Sequence, residues 1–373
     1  MDHNHIDNFS TVESDNKGKQ ELKPFFSIGV TTYNRPELLK QTLASITKQT
    51  FSDFEVIVGN DYTQETLSAE LLGIQDPRIR FVNHPQNLGE LGNMNALLGM
   101  SRGKYFTWQF DDDLYAANFL QAVHSALVKF DFPSATFTSY EFIYGTSFPD
   151  VTKNFSGQEQ LFSGRQFLRM YLSDQLKVIG CTGVYDIEYI RQIGGVERLT
   201  DSPFALYSEY LLLVRSGLLK KVAYIDAPLV LYRSHEGSWG CTTNEVNLFK
   251  QASENLVRES VKVFSRPELR DDFRQNIGSI LKFSVNDFVR RLPAQDTHEG
   301  VSYLFSMKKQ FNFLKGSALY WIALSSLGWI GMSLVCWPAT KLKFKSAKLK
   351  FKSATQSGVV KLAHTLRSFF FAT

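Results

Sequence analysis

Three consecutive carboxylates, Asp111 to Asp113, directly follow the apolar run YFTWQF. Such a run is typical of a buried strand, and adjacent anions repel each other unless a cation joins them. Hard divalent cations such as Mg²⁺ and Mn²⁺ take carboxylate oxygens and share their remaining positions with phosphate oxygens. We therefore predict a site for a metal ion and a diphosphate here. The alternative is a polar turn that caps the following helix, where Asp is common.

A further acid, Asp61, follows the strand-like run FEVIVGN. Carboxyl ends of parallel strands meet at one edge of an open α/β sheet, and such sheets bind their ligands at that edge. Asp61 could accept hydrogen bonds there from a base or a ribose. Its alternative role is an Asx turn before the next helix.

The elements that must position these acids follow from the hydrophobic periodicity. Residues 25–140 alternate β-branched or aromatic runs with helical patterns, which predicts an α/β fold with a mostly parallel sheet covered by helices. The predicted strands are 25–32, 54–60, 78–83, 104–110 and 134–144, and the predicted helices lie near 36–49, 64–73, 89–101 and 116–130.

The later part of the chain reads differently. Residues 177–233 contain strand-like runs around a predicted helix at 204–216, and they end in an apolar strand at 221–232. Beyond Gly240 the pattern is helical. The predicted helices there are 244–264, 267–291 and 299–314.

Two runs together resemble the nucleotide-binding half of family 2 glycosyltransferases with the GT-A fold: FSIGVTTYNRPELLKQTLASITKQTFSDFEVIVGND, from Phe26 to Asp61, and NLGELGNMNALLGMSRGKYFTWQFDDD, from Asn87 to Asp113. The resemblance implies a nucleoside pocket at 31–35 and Asp61, and a wall around the donor at 87–95. It also makes Asp111 and Asp113 an Asp-x-Asp pair, with Asp113 as the first choice of metal ligand. The donor-binding residues that it implies are Thr31, Tyr33, Arg35, Asp61, Asn87, Asn95, Asp111, Asp112 and Arg233.

The second half is similar to the same family through three shorter runs: VIGCTGVYDIEYIRQIGGVERL at 178–199, SEYLLLVRSG at 208–217 and PLVLYRSHEGSWG at 228–240. The resemblance implies that Glu209 is the general base that takes the acceptor proton. It also implies that Arg233 approaches phosphate and that His235 completes the metal shell. The alternatives are an ordinary helix-surface acid for Glu209 and a structural histidine for His235.

The sequence departs from the family pattern in ways that leave the donor open. Asn60 stands where an acid is frequent, Met94 where a base is frequent, Leu114 where a fourth acid is common, and Ser208 beside the proposed base replaces an acid. No Gln-x-x-Arg-Trp motif is present, which argues against a processive synthase and favours the transfer of a single sugar.

The resemblance implies a Mn²⁺- or Mg²⁺-dependent, inverting transfer from a nucleotide-sugar donor to a hydroxyl of a glycan or lipid-linked acceptor. One rival is a nucleotidyltransferase, which usually carries a Gly-rich, basic loop after its first strand, whereas this chain has TTYNR at 31–35. The other is a non-catalytic sugar- or lipid-binding scaffold with a degenerate site. The presence of Asp61, Asp113 and Glu209 together argues against it.

We predict a disordered leader at 1–24, a GT-A domain at 25–240, a helical extension at 241–315 and a membrane-contacting segment at 316–373. Residues 316–340 carry no charge, and KLKFKSA occurs twice in succession at 341–354. Residues 341–373 hold eight Lys or Arg and no acid. This composition favours contact with an anionic membrane surface. The alternatives for the uncharged run are a span, an interfacial helix and a pair of helices buried in protein, and the alternative for the basic repeat is a solvated tail.

The charge pattern of residues 1–340 carries no nucleic-acid signal, because acids outnumber bases there. Three widely spaced cysteines, Cys181, Cys241 and Cys336, predict neither a disulfide framework nor a zinc site. The first 24 residues lack the apolar stretch of a signal peptide. We therefore expect the protein at the cytoplasmic face of the cell membrane, in polysaccharide biosynthesis.

Overall fold

The structure is a computed structural model that describes residues 23–238 and 245–291. The strands are β1 Phe26–Thr32, β2 Phe54–Asn60, β3 Ile79–Asn83, β4 Tyr105–Phe110, β5 Leu114–Tyr115, β6 Ala135–Tyr144, β7 Glu159–Phe162, β8 Gly183–Asp186 and β9 Val222–Ser234. The helices are α1 Pro36–Thr47, α2 Ala69–Leu72, α3 Gly89–Met100, α4 Phe119–Lys129, α5 Gly164–Leu172, α6 Ile187–Gln192, α7 Ser208–Arg215, α8 Val246–Phe264 and α9 Phe273–Arg291. The predicted α/β class is confirmed.

The strands form one sheet in the order β3-β2-β1-β4-β8-β6-β9-β5, and β7 pairs with β9. The pairs among β3, β2, β1 and β4 are parallel. Strand β8 runs antiparallel to both β4 and β6, and β9 runs parallel to β6. The carboxyl ends of β1, β2, β4, β6 and β9 therefore share one edge, and the segments that follow them meet there.

Helices cover both faces of this sheet, which explains the continuous apolar runs of its central strands. On one face, α1 and α4 pack on Ile28, Val30 and Val56. On the other face, α3, α6 and α7 pack on Phe106 and Trp108. Every residue of β1 and β2 is buried. The predicted helix 116–130 begins only at 119, and the predicted helix 204–216 is confined to 208–215.

The predicted helix at 64–73 is wrong for most of its length, because only α2 is helical there. The backbone of 64–68 is held instead by side chains of neighbouring strands. Asn60 Nδ2 donates to the Glu65 carbonyl at 2.7 Å, and the Leu67 amide donates to Asn83 Oδ1 at 2.8 Å. These two hydrogen bonds fix an irregular turn that the hydrophobic periodicity does not reveal.

Helices α8 and α9 share an apolar core with α5 and α7. Leu211 on α7 lies in one cluster with Leu256 of α8 and Ile277 of α9. Asp272, just before α9, accepts hydrogen bonds from Arg165 Nε at 2.6 Å and Arg169 NH2 at 3.0 Å on α5. These arginines, Arg165 first, lower the pKa of Asp272.

Several sequence predictions fall outside the described residues: residues 1–22 of the leader predicted at 1–24, the helix at 299–314 and the tail at 316–373. The proposed domain boundaries stay predictions. Among the residues that the structure does describe, no helix is both long and apolar enough to cross a membrane.

Candidate active site

Arg35, just before α1, joins two of the three consecutive carboxylates. Its Nε donates to Asp111 Oδ2 at 3.2 Å and its NH1 donates to Asp112 Oδ2 at 2.9 Å, while NH2 pairs with Asp111 Oδ1. Thr32 Oγ1 at the end of β1 also donates to Asp111 Oδ2, at 2.7 Å. Burial raises the pKa of Asp111 to about 7, although the charge of Arg35 opposes this change. The ends of β1 and β4 are thereby tied together.

Asp113 has a different environment. The Arg233 backbone amide on β9 donates to Asp113 Oδ1 at 2.8 Å. Asp113 Oδ2 is buried and has no hydrogen-bond partner among the described residues. Burial, followed by the charge of Asp112, raises the pKa of Asp113 well above its usual value, whereas the nearby Cys181 thiol lowers it. An unpartnered, buried carboxylate oxygen requires a proton or a cation.

The Arg233 side chain supplies the complementary charge. It is 2% exposed, and its NH1 donates to Gln41 Oε1 at 2.8 Å. Its Nε and NH2 are buried and have no hydrogen-bond partner in the described part of the chain. Burial lowers the pKa of this guanidinium, while Asp112 and Asp113 favour its charge. Two free donors on a buried guanidinium fit a phosphate group.

His235 contacts Asp112 rather than Asp113. Its Nε2 lies 3.1 Å from Asp112 Oδ2, and the Gly237 amide donates to its Nδ1 at 3.1 Å. The second contact makes Nδ1 the acceptor, so Nε2 carries the proton and donates to Asp112. To bind a metal through Nε2, His235 would have to give up this hydrogen bond.

The carboxylate oxygens of the candidate site are suitable ligands for a hard divalent cation, although they do not form a complete coordination shell. Within 23–238 and 245–291, no group of three His, Cys, Asp or Glu side chains is arranged to hold a metal ion. Asp113 Oδ2 nevertheless offers an unpartnered carboxylate oxygen, with the Asp112–His235 pair on neighbouring strand ends. Mg²⁺ commonly takes one or two carboxylates and completes its shell with phosphate oxygens and water.

Asp61 holds the entry to α3. Its Oδ1 accepts from the Leu88 amide at 2.7 Å, and its own amide donates to the Thr32 carbonyl. The Asx turn that was the alternative for Asp61 is made by Asn60, whose Oδ1 accepts from the Tyr62 amide at 3.1 Å. Asp61 is thus placed at the shared sheet edge, as its strand position predicts.

The other predicted donor-side residues have distinct environments. Thr31 is buried in β1, whereas Tyr33 is half exposed and packs edge-to-face on Tyr62 with ring centroids 5.3 Å apart. Asn87 Oδ1 accepts from the Gly89 amide at 2.8 Å. The Asn95 side-chain amide donates to the Val196 carbonyl and accepts from the Val196 amide, at 2.9 Å each. These two hydrogen bonds join α3 to the segment that follows α6.

Glu209 lies in the first turn of α7 and is not a solvated surface acid. Its Oε1 is out of contact with solvent and has no hydrogen-bond partner among the described residues. Burial, followed by the charge of Glu90, raises the pKa of Glu209 to about 8. A Cβ atom added to Gly180 would lie 2.2 Å from Glu209 Oε2, so a glycine at 180 makes room for this carboxyl group.

The sequence did not identify three further residues near these groups: Glu90, Cys181 and Tyr232. Glu90 alters the pKa of Glu209, and Cys181 that of Asp113. Burial raises the pKa of the Tyr232 hydroxyl, and the charges of Asp113 and Glu209 raise it further. Each residue lies inside a run that resembles the family. Its residue type alone, however, does not distinguish a site residue from an ordinary core or surface residue.

Comparisons with known proteins show which family part of the chain resembles. Residues 27–192 match the family model for glycosyl transferase family 2. A Campylobacter jejuni protein, "GalNAc(5)-diNAcBac-PP-undecaprenol beta-1,3-glucosyltransferase", is 36% identical over 93 residues, which are 24% of this chain and 30% of that protein. An Escherichia coli protein, "UDP-Glc:alpha-D-GlcNAc-diphosphoundecaprenol beta-1,3-glucosyltransferase WfgD", is 26% identical over 121 residues, which are 32% of this chain and 47% of that protein.

Among solved structures, S. aureus TarS 1-349 in complex with UDP-GlcNAc superposes with a TM-score of 0.47 at 14% identity, covering 74% of this chain and 82% of that one. The chain spans less than half the length of the curated relatives that it matches. The match at 27–192 contains Arg35, Asp61 and the three carboxylates. Residues 27–192, which include these side chains, therefore form a glycosyl transferase family 2 domain.

Proposed function

We propose that the protein is a metal-dependent glycosyltransferase that moves one sugar from a nucleotide-sugar donor to a hydroxyl of a glycan or lipid-linked acceptor. The observation that carries this proposal is the pair formed by Asp113 and Arg233. The Arg233 backbone amide donates a hydrogen bond to Asp113 Oδ1. Asp113 Oδ2 and two nitrogens of the Arg233 side chain are nevertheless buried without hydrogen bonds to described residues. A divalent cation beside the first and a diphosphate beside the second would satisfy all of these groups at once.

The donor would lie along the shared strand edge. Tyr33 offers an exposed ring for the nucleoside base, and Asp61 ends the neighbouring strand. Asp113 would hold Mn²⁺ or Mg²⁺, with Asp111 and His235 as the further ligands that the family resemblance implies. Both of these are engaged in the described structure, by Arg35 and Asp112 respectively. The bound ion would offset the negative charge that develops on the leaving diphosphate.

Glu209 would act on the acceptor side as the general base. A carboxylate with a pKa near the working pH combines a useful ionised fraction with a strong drive to accept a proton. The acceptor oxygen would bond to the anomeric carbon as its proton passes to Glu209, and the bond from that carbon to the diphosphate would break. A direct displacement of this kind inverts the anomeric centre.

A lipid-linked acceptor is the narrower form of this proposal. The names of the two bacterial relatives specify acceptors joined to undecaprenol through a diphosphate. In this chain, the uncharged run and the duplicated basic repeat at 316–354 would bring the protein to an anionic membrane at its cytoplasmic face. An acceptor anchored in that membrane would then be presented to Glu209.

The test is turnover of a panel of UDP- and GDP-sugars with Mn²⁺, with Mg²⁺ and with excess chelator. We expect metal-dependent release of the nucleoside diphosphate, and Glu209→Gln should lower turnover on the order of 10²–10⁴-fold with nearly unchanged donor affinity. Glu188→Gln is the matched control, because that side chain is 83% exposed on α6.

The products separate the rival functions. Release of sugar 1-phosphate in place of a nucleoside diphosphate would mark a nucleotidyltransferase, and donor binding without turnover would mark a scaffold. Full turnover in excess chelator would refute the metal requirement. A Glu209→Gln variant with wild-type turnover would place the base elsewhere.

A further inference from the structure

The first turn of α3 holds the segment that leads into α7. Glu90 Oε2 accepts a hydrogen bond from the Ala205 amide at 3.1 Å, and the Ala205 carbonyl accepts from the Ser208 amide, in the first turn of α7, at 3.0 Å. Gly89, with φ +72°, approaches Pro203 so closely that an added Cβ would lie 2.7 Å from its carbonyl oxygen. The position of α7 therefore depends on α3.

The far side of the same segment is also held by α3, through the double contact between Asn95 and the Val196 backbone. Two residues after the Ala205 contact the chain contains Tyr207, a residue other than glycine in the left-handed region at φ +56°. Such a conformation costs on the order of 1–3 kcal/mol and persists only where the surroundings enforce it. The hydrogen bond from the Ser208 amide to the Ala205 carbonyl closes a turn around Tyr207, directly before α7 begins.

Glu90 also interacts electrostatically with residues in both halves of the candidate site. Burial raises its pKa, the Ala205 hydrogen bond and Arg35 oppose this, and Asp112 adds to it. The same carboxylate is the charged group that raises the pKa of Glu209, after burial. The charge of Asp112 thus raises the pKa of Glu90, and the charge of Glu90 raises the pKa of Glu209.

We propose that Glu90 is a positioning residue for Glu209: it holds the segment that leads into α7 and places a second carboxylate beside the base. This inference rests on the proposed role of Glu209. The two contributions are separable, because an amide oxygen at position 90 can still accept from the Ala205 amide but carries no charge.

Other titratable groups face Glu209 from the elements packed around it. They are Asp113 after β4, Cys181 and Tyr185 at β8, and Tyr232 on β9. Burial raises the pKa of the thiol and of both phenols, so these three stay neutral in the range where Glu209 titrates. The effects of Glu90 and Asp113 on the titration of Glu209 must therefore be distinguished. A substitution at Glu90 does this, because it leaves Asp113 unchanged.

The direct experiment is a carboxyl titration of the full chain by carbon-13 NMR with labelled glutamate, in which Glu209→Gln assigns the Glu209 signal. We expect Glu90→Gln to lower the midpoint of the Glu209 titration, while the exposed control Glu188→Gln leaves it unchanged. A decrease of one pH unit from about 8 would raise the ionised fraction at pH 7 about fivefold. An unchanged midpoint in Glu90→Gln would refute the electrostatic role.

Hydrogen exchange tests the mechanical role. Glu90→Ala should reduce the protection of the Ala205 amide and of the first turn of α7, whereas Glu90→Gln should retain most of it. Equal protection in Glu90→Ala and the wild type would refute the holding role. If the Ala variant does not fold, the Gln variant still tests the charge.

Kinetics connects the two readouts. In Glu90→Gln, the rising limb of the pH dependence of kcat/KM, which reports the pKa of the free enzyme, should move to lower pH by the same amount as the NMR midpoint. If no donor in the panel is turned over by the wild type, the proposed function fails while the titration and exchange results still decide the role of Glu90. A shifted NMR midpoint with an unshifted kinetic limb would show that Glu209 is not the base.

Discussion

Glu209→Gln should remove a pH-dependent loss of stability from the protein. The pKa of Glu209 rises from its usual 4.5 to about 8 on folding, chiefly through burial. The unfolded chain therefore releases this proton near pH 4.5, while the folded chain keeps it until about pH 8. The contribution of Glu209 to stability is complete below pH 4.5 and is lost as the pH rises to 8 and beyond.

The size of the loss follows from the same interval. An interval from 4.5 to about 8, at about 1.4 kcal/mol per pH unit, gives an upper limit of about 5 kcal/mol. A glutamine cannot ionise, and it resembles the protonated carboxyl group in shape. We therefore expect the variant and the wild type to unfold with similar free energies at pH 5, and the variant to be more stable by several kcal/mol at pH 9.

Urea denaturation at pH 5, 7 and 9, with chelator present, measures this difference. Each variant is compared with the wild type at the same pH, so that other titrating groups such as Asp111 cancel. Glu188→Gln should show the wild-type pH dependence, because its side chain is exposed. Parallel stability curves for Glu209→Gln and the wild type would refute the view that burial and the charge of Glu90 raise the pKa of Glu209.

Three other changes have definite expected outcomes. Asp113→Asn should abolish metal-dependent nucleotide binding in calorimetry with Mn²⁺ and UDP, because the unpartnered carboxylate charge is lost; wild-type binding in this variant would contradict the metal assignment. Arg233→Gln should weaken nucleotide diphosphate binding roughly 10- to 100-fold, the worth of a charged hydrogen bond of about 1.5–3 kcal/mol, and unchanged affinity would remove Arg233 from the donor site. A chain ending at Lys315 should bind donor normally but no longer sediment with anionic vesicles. Release of the full-length chain from the vesicles by high salt alone would limit membrane contact to the lysines. A full-length chain that never sediments with the vesicles would refute membrane contact.

The sheet could be predicted closely because its central strands are buried on both faces. The run FEVIVGN was predicted as 54–60 and forms β2 over the same residues. The short β5 and β7 were not predicted. Strand β5 has only two residues and is defined by its pairing with β9, and such a pairing between segments distant in sequence leaves no local pattern.

The position of the site at the sheet edge could be predicted from the sequence, but the hydrogen-bond partners of its residues could not. Parallel strand ends put Asp61, Asp111 and Arg233 at one edge, which the order of strands alone suggests. The partners of these groups depend on contacts across the whole chain. The Asp113 hydrogen bond comes from an amide 120 residues later, and the Asx turn belongs to Asn60 and not to Asp61.

The structure also distinguishes between three carboxylates that look equivalent in the sequence. Arg35 neutralises Asp111 and Asp112 together, and His235 donates a further hydrogen bond to Asp112. Asp113 has a buried oxygen with neither a hydrogen bond nor an ion pair to any described residue. A cation arriving at the cluster would therefore gain most at Asp113, because the other two already have cationic or hydrogen-bonding partners that it would have to displace. The preference for Asp113 thus rests on which charge the protein leaves uncompensated.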